Sequence, residues 1–313
     1  MSRSTMARSM STVRVPAATL AAVAAALLAS PIGAQANPYT DSLLQAARAL
    51  SHAVPGPLPV AIGYFSAQND SFPISDAIAG APRTNVPFVT PVFQIRYARG
   101  WIMVDAAMDR AAAAANGGGP FDEVRYAKIQ AALRGAGLIV ITHEHPDHVG
   151  TLSHSAIATA LAPKTMLTRR QVATMLTADG SASPMIDSAL ARRYLVVDYD
   201  RVLPIAPGVV LIRTPGHTPG AQMVLVTLAN RKQVLLAGDV AWLKAGVDGE
   251  RQKPDSMISF MHEDRTAIAQ QLAWLKHVVE PAGVVVVISH DGAQLDRLAQ
   301  VGVLVGALDL SEP

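Results

Sequence analysis

An apolar run, Leu138-Ile139-Val140-Ile141, passes without a break into Thr142-His143-Glu144-His145-Pro146-Asp147-His148. The run has the length and composition of a strand covered on both faces. The segment after it packs three imidazoles and the Asp147 carboxylate into six residues. Neutral imidazole nitrogen suits zinc, iron or cobalt, whereas three protonated rings on one short segment would repel one another. A helical zinc-protease motif needs His-Glu-x-x-His, but Asp147 stands where that pattern would continue and Pro146 disfavours a helix interior. The residues therefore predict a metal site on a loop at a strand's carboxyl end, where open α/β folds keep their chemistry.

The rest of the chain alternates in a way that fits this placement. A short amphipathic helix near residues 42–51 is stopped by Pro55-Gly56-Pro57-Leu58-Pro59. Strands are expected at 60–65, 91–97 and 101–105, with the polar, Gly- and Pro-bearing stretch 66–90 read as a long surface loop. Helix 122–134, strand 137–142, helix 149–161, strand 165–168 and helix 169–176 come next. The second half carries strands at 209–214, 222–228 and 233–237, helix 263–279, strand 283–289 and helix 294–301. Alternation of this kind predicts an α/β layered fold.

Three later landmarks complete the pattern: Thr214-Pro215-Gly216-His217-Thr218-Pro219-Gly220, Gly238-Asp239 and Ser289-His290. Together with His-x-His-x-Asp-His and the earlier Asp105, their order resembles the metallo-β-lactamase superfamily across nearly all of residues 37–313. The resemblance implies one catalytic domain folded as a four-layer αββα sandwich with mixed sheets. It implies two zinc ions, or other divalent transition metals, with His143, His145 and His217 on the first, and Asp147, His148 and His290 on the second. Asp239 would bridge them and Asp105 would support them from behind, although Ala107 stands where the family usually has glycine. A water activated in the open position would be the nucleophile, with Asp147 orienting it and moving its proton.

Other features bound the function. Arg3, Arg8 and Arg14, an Ala/Leu-rich run, and Ala34-Gln35-Ala36 read as a secretory signal over residues 1–36, cut after Ala36, which predicts a periplasmic or secreted protein with no lasting membrane insertion. Cutting off three arginines turns 26 basic against 24 acidic residues into 23 against 24. The mature chain thus offers no charge for binding nucleic acid. With no cysteine, thiol nucleophiles, thiolate ligands and disulfides are excluded.

His52, His154 and His277 have no partners in sequence and read as surface residues, while His262 either lines the pocket or merely precedes a helix begun by Glu263 and Asp264. Asn116 to Gly119 lacks the Lys-Ser/Thr of a phosphate loop. Within the superfamily a bridging aspartate favours lactonases, glyoxalase II-like thioesterases and organophosphate hydrolases over true β-lactamases. The expected partner is a small ester, lactone or related acyl or phosphoryl substrate, in a pocket walled by residues 66–90 and 243–261. The alternatives are a periplasmic β-lactamase, a mononuclear iron dioxygenase of sulfur compounds, and a catalytically silent binding protein.

Overall fold

The computed structural model describes residues 37–115, 119–153, 155–177 and 185–311. Within them eleven strands form two sheets: β1 (Ala61–Pro73), β2 (Asn85–Arg96), β3 (Trp101–Val104), β4 (Leu138–Val140), β5 (Thr165–Leu167) and β6 (Leu195–Val196) lie side by side in that order. The second sheet runs β11 (Val284–Val287), β10 (Gln233–Leu236), β9 (Gln222–Thr227), β8 (Val209–Arg213), β7 (Val202–Ala206). Pairing is antiparallel from β1 to β3 and parallel from β3 to β6; it is antiparallel from β7 to β10 and parallel between β10 and β11. The main helices are α1 (Asp41–Leu50), α2 (Glu123–Gly135), α3 (Pro146–Ser153), α4 (Arg169–Leu176), α5 (Arg265–Trp274) and α6 (Gly292–Gln300). The expected leader, residues 1–36, and His154 fall outside the described residues.

Side chains alternate across a strand, so a strand apolar at every position must be covered twice. Val209, Leu211, Val224 and Val226 of the second sheet meet Ile62, Phe93, Ile95, Val104 and Val140 of the first, and this is the layer between the sheets. The intervening residues Val210, Ile212, Met223 and Leu225 face outward onto Leu43 and Leu44 of α1 and Ile268 and Leu272 of α5. On the far side Met103, Ile139 and Leu167 pack against Ile129 and Leu133 of α2 and Leu152 of α3. The outcome is the expected order of helices, sheet, sheet, helices. From Tyr39 onward it forms one compact unit.

Two stretches depart from expectation. Residues 66–90 are not an irregular loop: β1 and β2 continue past the sheet as a two-stranded arm, paired from Asn69↔Val89 to Pro73↔Asn85, with the short helix Ile74–Ala77 beyond β1. Polar residues hide this because the arm's strands satisfy each other's backbone, and a bulge between Ser66 and Asn69 breaks the alternation. The Ser66 hydroxyl mends the break, accepting from the Gln68 and Thr90 amides at 3.2 and 3.3 Å. Pro146, expected to prevent a helix, instead takes the first position of α3. There its missing N–H has no intrahelical partner to lose.

Smaller differences have local causes. Helix 263–279 starts at Arg265, because Asp264 caps it by accepting from the Ala267 amide, and it closes in a π-turn at Leu275–Val279. Strands β6 and β7 and the short helices Lys244–Gly249 and Asp255–Phe260 carry too little periodicity to be read from sequence.

Candidate metal centre

The carboxyl ends of strands from both sheets converge on one point. Asp105 follows β3, His143 and His145 follow β4, and Asp147 and His148 occupy the first turn of α3. His217 sits in the turn between β8 and β9, Asp239 in a single helical turn after β10, and His290 after β11. Gly238 reaches φ +59°, a left-handed conformation open to glycine at no steric cost, and this turns Asp239 inward. Gly220 gives close approach: a Cβ there would fall 2.4 Å from Gln171 Cγ and 2.7 Å from Glu144 Oε2.

The side chains fall into two groups, His143, His145 and His217 in one, and Asp147, His148, Asp239 and His290 in the other. Each group's candidate ligand atoms lie within 4.8 Å of one another. Asp239 stands between them. Its Oδ2 is 3.8 Å from His143 Nε2, 3.6 Å from His217 Nε2 and 2.9 Å from His290 Nε2, and its Oδ1 is 3.5 Å from His148 Nε2. Asp147 closes the second group, 3.3 Å from His148 Nε2 and 3.5 Å from His290 Nε2.

Partners behind the rings fix which nitrogen is bare. His148 Nδ1 lies 2.8 Å from Asp105 Oδ2, His290 Nδ1 2.7 Å from the Val89 carbonyl, and His217 Nδ1 2.5 Å from Glu263 Oε1. These oxygens only accept, so each Nδ1 carries a proton and Nε2 is the ring atom turned to the centre. Thr142 Oγ1 donates to Asp105 and accordingly accepts from His143 Nδ1 at 3.1 Å. His145 is reversed, with Nδ1 inward and 2.9 Å from His217 Nε2.

This donor set fits metal ions. His143 Nε2, His148 Nε2 and Asp239 Oδ1 are buried and have no hydrogen-bond partner. A buried polar atom left so costs about 1–3 kcal/mol, and bare nitrogens and an oxygen sharing one centre are answered together by a cation. Burial, then neighbouring imidazoles, hold His143 well below the usual imidazole range and His145 down to about 3, so both rings are neutral. Burial would likewise lower His148, but the carboxylates of Asp147, Asp105 and Asp239 outweigh it and raise that ring well above its ordinary value. For Asp239 burial acts upward and the His290 and His148 rings prevail, keeping it ionised.

All seven residues expected as ligands thus meet at one centre, and Asp105 lies directly behind it. His262 does not join them: it is exposed, at φ +54°, while its neighbour Glu263 turns inward. Glu263 was legible only as a helix starter.

Several further residues escaped the sequence reading. Trp242 Nε1 donates to Asp239 Oδ2 at 2.9 Å, and Phe88 stacks on His290 with ring centres 4.4 Å apart. Lys253, buried, meets Glu263 at 2.6 Å. Glu144, embedded in the histidine cluster, accepts from Thr218 Oγ1 at 2.7 Å and the Gly220 amide at 3.0 Å, binding the His217 turn to the β4 loop. A cavity of about 510 Å³ behind that turn is lined by Arg169, Arg170 and Arg213 and holds none of the seven.

A four-layer fold that gathers imidazoles and carboxylates at one end of both sheets defines a class of proteins built around a candidate metal centre. The family model described as "Metallo-beta-lactamase superfamily" matches residues 86–290, and the chain belongs to that superfamily. An N-acyl homoserine lactonase from a Bacillus species is 32% identical over 87 residues, a match spanning 28% of this chain and 32% of that relative. A solved N-acyl homoserine lactone hydrolase, with the product N-hexanoyl-L-homoserine at its catalytic metal centre, aligns at TM-score 0.60 and 17% identity over 77% of this chain and 96% of its own. A quorum-quenching lactonase described as dizinc aligns at TM-score 0.50 and 13% identity, over 75% and 90%.

Proposed function

We propose that the protein is an exported dinuclear hydrolase acting on lactones that carry an apolar substituent. The observation that carries the dinuclear reading is Asp239, whose carboxylate is within 3.8 Å of a bare nitrogen in each group. His143, His145 and His217 would hold one zinc ion, Asp147, His148 and His290 the other, and Asp239 both. Zinc there would polarise a carbonyl and lower the pKa of a water to about 7.

The chain's own residues supply the rest. Asp147 is the one candidate ligand of the second group whose side chain is partly exposed, at 26%, so it can meet both solvent and substrate. In this reading its carboxylate orients the attacking water, takes its proton and delivers it to the leaving oxygen. Trp242 and the bonds behind each imidazole hold the acceptor atoms still, so that little reorganisation accompanies reaction.

Support for a lactone with an apolar arm comes from the wall beside His290. Phe72 and Phe88 of the arm pack with Trp242, Leu243, Met257 and Met261, so the two segments expected to wall a pocket meet in one apolar cluster. The local likeness to N-acyl homoserine lactonase points the same way. Export rests on the first 36 residues. The test is metal analysis of purified protein with kinetics on acyl lactones, simple lactones, thioesters, β-lactams and phosphotriesters. Two zinc ions per chain and the highest kcat/KM on long-chain acyl lactones are expected; preference for another panel member refutes the substrate assignment, and a single metal per chain refutes the dinuclear one.

A further inference from the structure

Among the described residues, Lys253 and Glu263 are the most deeply buried ion pair that no ligand role explains: their side chains are 2% and 0% exposed and their charged atoms lie 2.6 Å apart. Removing two charges from water costs several kcal/mol each, and apolar residues of similar volume often serve stability as well or better. Stability is therefore a poor account of the pair. Its contacts give a better one.

Glu263 Oε1 also accepts from His217 Nδ1, at 2.5 Å, and so fixes a ring of the first ligand group. Lys253 Nζ donates to the Asp239 main-chain carbonyl at 3.0 Å and stands 4.8 Å over the Trp242 ring. Trp242 in turn donates to Asp239 Oδ2. Asp239 is thereby gripped at both its main chain and its carboxylate, and one ammonium links it to the support of His217. The two residues come from different places, Lys253 from the stretch between helices Lys244–Gly249 and Asp255–Phe260, Glu263 from just before α5.

We propose that Lys253 and Glu263 are positioning residues acting as a single clasp that ties the two ligand groups together, so that both metal positions lose affinity when it is removed. The proposal rests on the dinuclear metal reading and is independent of the substrate. An outer partner of a metal-bound histidine is typically worth 10–100-fold in affinity. Here the loss should appear at both positions, because Glu263 supports His217 on one side and Lys253 supports Asp239 on the other.

The experiment is chelator competition for zinc, with cobalt(II) absorption as a second probe, on the wild type and on Lys253→Met/Glu263→Leu. Melting of the metal-free proteins is measured alongside. The expected result is a loss of about 10–100-fold in affinity for both ions, with the metal-free variant still melting in one cooperative transition. Unchanged affinities overturn the proposal, as does a loss confined to one ion. Should the double variant fail to fold, Glu263→Gln decides: it keeps an acceptor for His217 but loses the charge, and wild-type affinities in it overturn the clasp. A wild type that takes up no zinc would instead sink the metal reading itself.

Discussion

Ala107 occupies a left-handed conformation, φ +58°, two residues beyond Asp105, itself at φ +64°. Alanine in place of the family's usual glycine therefore leaves the backbone path intact. A non-glycine residue there costs about 1–2 kcal/mol; against this, glycine would loosen the unfolded chain by about 0.4–1 kcal/mol and give up a buried methyl worth about 0.8 kcal/mol. The terms nearly cancel, so Ala107→Gly should change unfolding free energy by less than about 1 kcal/mol. Urea denaturation checks it, and a loss above about 2 kcal/mol would mean the methyl has a packing role of its own. Asp239 is the opposite case, since nothing compensates its removal. Asp239→Ala should reduce the second metal's occupancy and cut kcat by more than the about 10–100-fold that loss of an outer partner costs. Full metal content and rate in that variant would end its bridging role.

Among the elements, the arm formed by β1 and β2 would bear most on specificity in the proposed function. Its Val89 carbonyl anchors His290 while its Phe88 ring covers the same imidazole. Phe88→Ala should raise KM for apolar lactones by up to about tenfold, some 1.4 kcal/mol, with metal content and kcat retained, because the carbonyl remains. Steady-state kinetics across acyl lengths test this; a fall in kcat at constant KM would contradict it. The arm also shows where sequence reasoning runs out. Strands with a buried face, such as Val209 to Arg213, announce themselves through apolar residues, and every metal-type side chain lay in a recognisable spaced motif. An arm that pairs mainly with itself can be polar, and a bulge hides its alternation. Residues such as Lys253 and Glu263 are invisible for another reason: a charge that is normally exposed gives no sequence sign that folding will bury it against a distant partner. Pro146 misled because the same residue breaks a helix interior and suits its first turn.

At the scale of the whole molecule, the centre joins two sheets that otherwise meet through apolar packing at residues such as Phe93, Val104, Leu211 and Val224. Ions bound there would stabilise the native state by mass action, by about 2.7 kcal/mol at a free concentration one hundred times Kd. Stripping metal with a chelator should lower the melting temperature by roughly 5–10 °C, and readdition of zinc should restore it. A melting curve indifferent to chelation would show that the seven side chains are held by packing without cations. The ligands are also strung far apart, from His143 to His290. A ribosome-bound chain that has not yet yielded Asp239 and His290 holds only a fragment of the set, so the full set can assemble only once nearly the whole chain has emerged.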